Sequence, residues 1–127
     1  DIGKYFSALS NEANIRGLNE AWLVFGVTND KRIVGTEFRK QGGLQNLKKE
    51  LVNGTNERLT FMEIYELTME KCRIVLFQIP PAIRGIPTTW QGAAYAREHE
   101  SISPLPMNKV DLIRNGLVQR NCRWRIN

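Results

Sequence analysis

Apolar positions divide the chain into stretches of helical and strand-like spacing. Ile2, Phe6, Leu9 and Ala13 recur at three- and four-residue steps, which predicts a helix from Lys4 to Ile15. Asn14-Ile15-Arg16-Gly17 stops it, with Gly17 suited to a left-handed cap. Ala21-Trp22-Leu23-Val24-Phe25-Gly26-Val27 is continuously apolar, the pattern of a strand covered on both faces, and predicts a central strand. Thr28-Asn29-Asp30-Lys31 is turn chemistry, because Asn and Asp tolerate left-handed backbone and bond their own main chain. Arg32 to Thr36 then reads as the return strand of a hairpin.

Gly42-Gly43 breaks the chain before a second helix, 44 to 52, in which Leu44, Leu47, Leu51 and Val52 form one stripe. Thr60 to Glu70 alternates as a strand. Cys72 to Ile79 reads as a buried strand, ended by Pro80-Pro81 because proline donates no ladder hydrogen bond. Trp90 to Arg97 is one more short strand, and Ser103-Pro104-Leu105-Pro106 a break. A last helix runs from Lys109 to Asn115, with Asn108 as N-cap, Asp111 at its positive end and Gly116 as its stop. This order predicts one α/β domain over 1–127, a mixed sheet built from hairpins with helices on its faces. The tail 117–127 is unassigned.

Composition narrows the class. A chain of 127 residues, 42% hydrophobic, has room for one core. Its apolar runs fall far short of the roughly 18 residues a membrane span needs, so no membrane partner is expected. The opening Asp1-Ile2-Gly3-Lys4 carries no leader pattern, and the chain is expected to be a fragment of a longer protein. Cys72 and Cys122 read as reduced thiols of a cytoplasmic protein. With His99 the only histidine, they supply no zinc site. No cofactor and no bound metal are expected.

Lysine and arginine number 18 against 13 acids, a net charge of +5 that favours polyanionic partners. Lys31 and Arg32 lie at the hairpin tip, Arg39 and Lys40 just beyond it, Arg84 on the loop from Pro81 to Pro87, and Arg97 at a strand end. Cations on loops at one sheet edge would track a phosphate backbone, and Trp90 and Tyr95 beside them would stack on bases. For each cation the plain alternative is a solvated surface charge, and for each aromatic a place in the core.

Enzymatic signatures are sparse. The only Gly-Lys pair, Gly3-Lys4, is followed by Tyr5, so there is no P-loop; there is no Gly-x-Ser-x-Gly elbow either. His99 stands between Glu98 and Glu100, as in an exposed loop. Asp30 is the one carboxylate placed where a rigid hairpin tip could present it to a metal, with a turn residue as its ordinary reading. A two-metal site would need further acids such as Glu12 and Glu37 to converge on it.

Taken together, Ser7-Ala8-Leu9-Ser10-Asn11-Glu12-Ala13-Asn14, Ala21 to Val27 and Ile33-Val34-Gly35-Thr36 resemble the Schlafen-type, Alba-like DNA-binding domain family. Thr60 to Ile64, Val75 to Pro80, Arg84-Gly85-Ile86-Pro87, Trp90-Gln91-Gly92, Tyr95-Ala96-Arg97 and Glu100-Ser101 continue the resemblance in order. It spans about Phe6 to Ile113, and Ser101 joins the candidate nucleic-acid contacts. The resemblance implies a nucleic-acid-binding module, DNA first, of a bacterial transcriptional regulator. The family has also been labelled divergent ATPases, which this chain does not support.

Two alternatives remain open: a metal-dependent nuclease fragment, and a non-catalytic scaffold that forms a homodimer through a sheet edge or an apolar patch. Animal relatives include RNA endonucleases that use two glutamates and an aspartate. Asp30 matches the aspartate, but the glutamate pair has no counterpart here. Two departures stand out: the family's glycine-rich turn is replaced by Asn11 to Glu20, and His99 occupies a position usually held by glycine.

Overall fold

The computed structural model describes residues 1–99 and 101–115. Helix α1 spans Ile2–Arg16, one turn wider than the apolar spacing alone gives. The Asp1 carboxylate accepts from the Gly3 amide at 3.0 Å, and Gly17 closes the helix at φ 70°. Helix α2 is Asn46–Gly54, with Leu44 buried in the turn before it, and α3 covers 107–115. The expected stop at Gly116 and the tail 117–127 lie outside the described residues.

The α/β class holds, with the strands divided between two antiparallel three-stranded sheets. The first joins β1 (Ala21–Phe25), β2 (Glu63–Met69) and β3 (Cys72–Ile79) in the order β1-β3-β2. The second joins β4 (Thr89–Trp90), β5 (Ala93–Glu98) and β6 (Ser101–Pro104) in sequence order. β3 is the central strand expected, with Ile74, Val75, Phe77 and Ile79 buried.

β1 is not central. It is an edge strand whose inward residues, Ala21, Leu23 and Phe25, pack on the core while Trp22 and Val24 stay 41% and 39% exposed. Its unbroken apolar run reflects two apolar faces, of which only one is covered. The return strand expected at Arg32 to Thr36 also does not form, and an isolated bridge between Val27 and Ile33 takes its place. Gly26, at φ 105°, bends the chain where a side chain would fall 2.8 Å from the Arg73 carbonyl. The Arg73 guanidinium then holds the departing segment by donating to the carbonyls of Thr36 and Phe38 at 3.1 and 2.8 Å.

The single strand expected from Trp90 to Arg97 is a hairpin, split at Gln91-Gly92, both with positive φ. Ser103-Pro104, read as a break, ends β6. A proline fits there because β6 is an edge strand.

The main core gathers Phe6 and Leu9 of α1, Leu44, Leu47 and Leu51, Phe61 just ahead of β2, and Ile64, Val75, Phe77 and Ile79 of the first sheet. A neighbouring side of α1 is polar and equally buried. Asn11 accepts from the Thr88 amide at 2.7 Å and donates to the carbonyls of Thr88 and Tyr95 at 3.1 and 2.9 Å. Ser7 donates to the Thr88 carbonyl and accepts from the Tyr95 amide, while the Ser10 and Thr88 hydroxyls pair at 2.8 Å. Asn14 donates to the Ala82 carbonyl at 2.8 Å. Helix α1 thus presses an apolar face on the first sheet and a hydrogen-bonding face on the second.

Replacing Asn11 by Ala leaves the buried Thr88 amide and the Tyr95 carbonyl without this partner. Each such group costs about 1–3 kcal/mol. Urea unfolding of Asn11→Ala is therefore expected to show a loss of about 2–4 kcal/mol, and an unchanged midpoint would count against the clamp.

Candidate nucleic-acid interface

At the hairpin tip, the Thr28 amide donates to the Arg32 carbonyl and the Lys31 amide to the Thr28 carbonyl, both at 2.9 Å, with Lys31 at φ 67°. The Asp30 carboxylate accepts from the Thr28 hydroxyl and from Arg32 Nε, the latter at 2.9 Å. The Thr28 hydrogen bond first, then the one from Arg32, hold its carboxyl below the ordinary carboxylate range. Asp30 is thereby tied into its own turn. Among the described residues no three His, Cys, Asp or Glu side chains are grouped to hold a metal ion.

The neighbouring cations are largely matched by acids. Arg39 makes a two-pronged contact with Glu50 at 2.7 and 3.0 Å and donates to the Gly43 carbonyl at 3.0 Å. The hydrogen bonds of this pair raise the arginine's pKa and lower that of Glu50. Lys40 lies 3.4 Å from Glu37, and Arg32 is held by Asp30. For Lys31 and Arg84, both exposed, the described residues supply no ion-pair partner. Arg97 is exposed and its Nε donates to the His99 carbonyl at 2.8 Å.

These cations do not form one basic edge. The 27–33 hairpin extends beyond the end of the first sheet where Phe25 faces Val75, whereas the loop bearing Arg84 leaves from the opposite end, where Ala21 faces Ile79. That loop is pinned to α1 through the Ala82 amide, which donates to the Ser10 carbonyl. Arg97, on β5, belongs to the sheet that clasps the other side of α1.

The aromatic candidates are structural in their contacts. The Trp90 indole lies between Gly3 of α1 and Gly54 of α2, where an added Cβ would fall 2.0 and 2.1 Å from the ring. Its Nε1 is buried and has no hydrogen-bond partner among the described residues. Tyr95 is half-buried with Lys4 Nζ 5.6 Å from its ring centroid. Ser101 donates to the Glu98 carbonyl across the β5–β6 turn. In that turn His99 takes φ 58°, a left-handed conformation that glycine adopts without strain.

Residue-level reading missed the role of α1's small polar residues. Ser7, Ser10, Asn11 and Asn14 recur at steps of three and four, a second stripe beside the apolar one, and that spacing was the available signal.

The assembly defines a small α/β domain, two antiparallel sheets packed on an N-terminal helix, and among the described residues Arg84 and Arg97 stand on a loop and a strand end without an ion-pair partner. The chain belongs to the Schlafen, AlbA_2 family, whose model matches residues 1–106. No curated protein matches it. Among solved structures it is similar to the DIP2311 protein from Corynebacterium diphtheriae, with a TM-score of 0.62 and 13% identity over 90% of this chain. The match covers 18% of that protein, so this chain spans less than a fifth of its length. Among the described residues no helix is long and apolar enough to cross a membrane.

The tie between Asp30 and its turn is testable by titration. A folded-state pKa lowered from its unfolded value stabilises the turn above that unfolded value, and the effect is lost as pH falls through the folded one. Carboxyl NMR is expected to show Asp30 titrating below the ordinary aspartate range and moving up when Thr28→Val and Arg32→Ala are combined. An unmoved titration would show that neither partner holds it.

Proposed function

We propose that this domain is a nucleic-acid-binding module, with DNA as the expected ligand, in a cytoplasmic bacterial transcriptional regulator. The observation that carries the reading is the pair Arg84 and Arg97, exposed cations without an ion-pair partner among the described residues, on a loop and a strand end anchored to the same helix. Family membership and the net charge of +5 agree with it. Helices α1 and α2 both contribute buried side chains to the core, and the cations that carry the reading, Arg84 and Arg97, lie outside them. Binding is then electrostatic and weakly sequence-selective, with Lys31 as an outlying contact. Arg32, Arg39 and Lys40 contribute less, because their charges are already matched by Asp30, Glu50 and Glu37.

Fluorescence anisotropy across a salt series tests this. With about three phosphates neutralised, log K falls against log salt with a slope near −3 on duplex DNA. Arg84→Ala should reduce the slope by about one unit on unrelated sequences, whereas Arg39→Ala should leave it nearly unchanged. Equal effects of the two, or no binding at low salt, would remove this reading.

A second reading, a scaffold that pairs with another copy, is favoured by one observation. The outward face of the first sheet carries Trp22, Val24, Tyr65, Leu67 and Met69, each between 39% and 48% exposed. Contiguous apolar surface of this kind marks contact sites. Light scattering on the purified chain is expected to give a dimer that Val24→Glu with Leu67→Glu converts to monomer. A monomer before substitution rules the scaffold out.

A further inference from the structure

Between the C-terminal turn of α1, the start of β1 and the β5–β6 turn lies a cleft of about 450 Å³. Its size falls in the range of small-ligand sites, roughly 300–1,000 Å³. Leu9, Ala13 and Leu18 give it an apolar wall, and Arg16, Arg97 and Glu12 give it charge. From this combination we propose that the cleft binds a nucleoside monophosphate group, either free or at the end of a nucleic-acid strand. The choice of ligand rests on the nucleic-acid reading above; the site itself does not.

The chemistry divides among the lining residues. A guanidinium presents paired donors that match phosphate oxygens, and two of them, Arg16 and Arg97, open onto the cleft. Arg97 uses Nε on the His99 carbonyl, which fixes the side chain and leaves its terminal nitrogens for a ligand. Arg16 is 71% exposed along its side chain; its Nε lies 3.6 Å from Glu12, whose charge Lys109 Nζ already matches at the closer 2.7 Å. Glu12 is the discriminating group. Its carboxylate is held by Lys109 Nζ at 2.7 Å and is only 16% exposed, a fixed acceptor within a mainly cationic lining. A carboxylate there repels phosphate from its own side of the cleft but accepts from ribose hydroxyls or an exocyclic amine. Leu9 and Ala13 are almost fully buried, so the apolar contact for a base comes from the half-exposed Leu18. A duplex interior offers no such unit, since its bases are stacked and paired, whereas a free nucleotide or a frayed end does.

Titration calorimetry with adenosine monophosphate, and anisotropy with a labelled 5′-phosphorylated single strand and with a circular duplex lacking ends, separate the sources. Expected is binding of the nucleotide, of the strand end, or of both. It should weaken about tenfold in Arg16→Ala and be lost in Leu18→Asp, two exposed substitutions that leave the core intact. Nucleotide binding without any polynucleotide binding would sustain the cleft and sink the nucleic-acid module. Binding of circular duplex and single strand with equal strength, unchanged in Arg16→Ala and Leu18→Asp, would overturn the cleft and leave the module standing. Absence of all binding overturns both.

Discussion

Thr88 gives every hydrogen-bonding group it has to one helix. Its amide reaches Asn11, its carbonyl receives Ser7 and Asn11, and its hydroxyl meets Ser10, all in the buried interior. Such contacts are directional, so they fix where the second sheet sits along α1 more sharply than apolar packing would. Buried polar groups are costly when unmatched, which penalises any sliding of this interface by even one residue. Trp90 lies two residues further on, and its indole fits only because Gly3 and Gly54 carry no side chain. One polar clamp therefore sets the position of both helices relative to the β4–β5 hairpin and, through β5, of Arg97.

The elements legible from sequence were those in which one pattern had one cause. The apolar steps of α1, the stripe of Leu47 and Leu51, and the buried run of β3 each matched their structure to within a few residues. β1 was misread because an apolar run does not distinguish coverage on both faces from apolar residues left facing out. Arg32 to Thr36 was misread because β character there is overridden by the Gly26 bend and by Arg73, whose side chain takes carbonyls that a ladder would have used. The second sheet was half seen: β6 ends in a proline that sequence reasoning takes as a break and an edge strand accommodates.

The candidate site was less legible than the fold, for an electrostatic reason. A cation in sequence has no visible partner, and the pairs that silence Arg39 and Arg32 form across 11 residues and 2 residues, respectively. Neither spacing is a helical one that pattern reading would flag. The same holds for Glu12, whose salt bridge to Lys109 spans 97 residues and turns an apparently solvated helix acid into a fixed, mostly buried carboxylate.

Local charge therefore matters more here than the net +5. Three of the 18 cations, Arg120, Arg123 and Arg125, and none of the 13 acids fall within 117–127, which leaves 15 cations against 13 acids before it. A nearly balanced domain attracts a polyanion only where its cations are left unmatched, because pairs closer than a Debye length of about 8 Å cancel at a distance. Among the described residues Arg84 and Arg97 are cations that meet that condition, while Arg32 and Arg39 do not. A helix that spends its polar face on Thr88 and its apolar face on the first sheet keeps its exposed cations, Lys4 and Arg16, for its first and last turns. The demand that α1 be satisfied on two sides is what would leave the proposed ligand contact to Glu12 and Arg16 near its end.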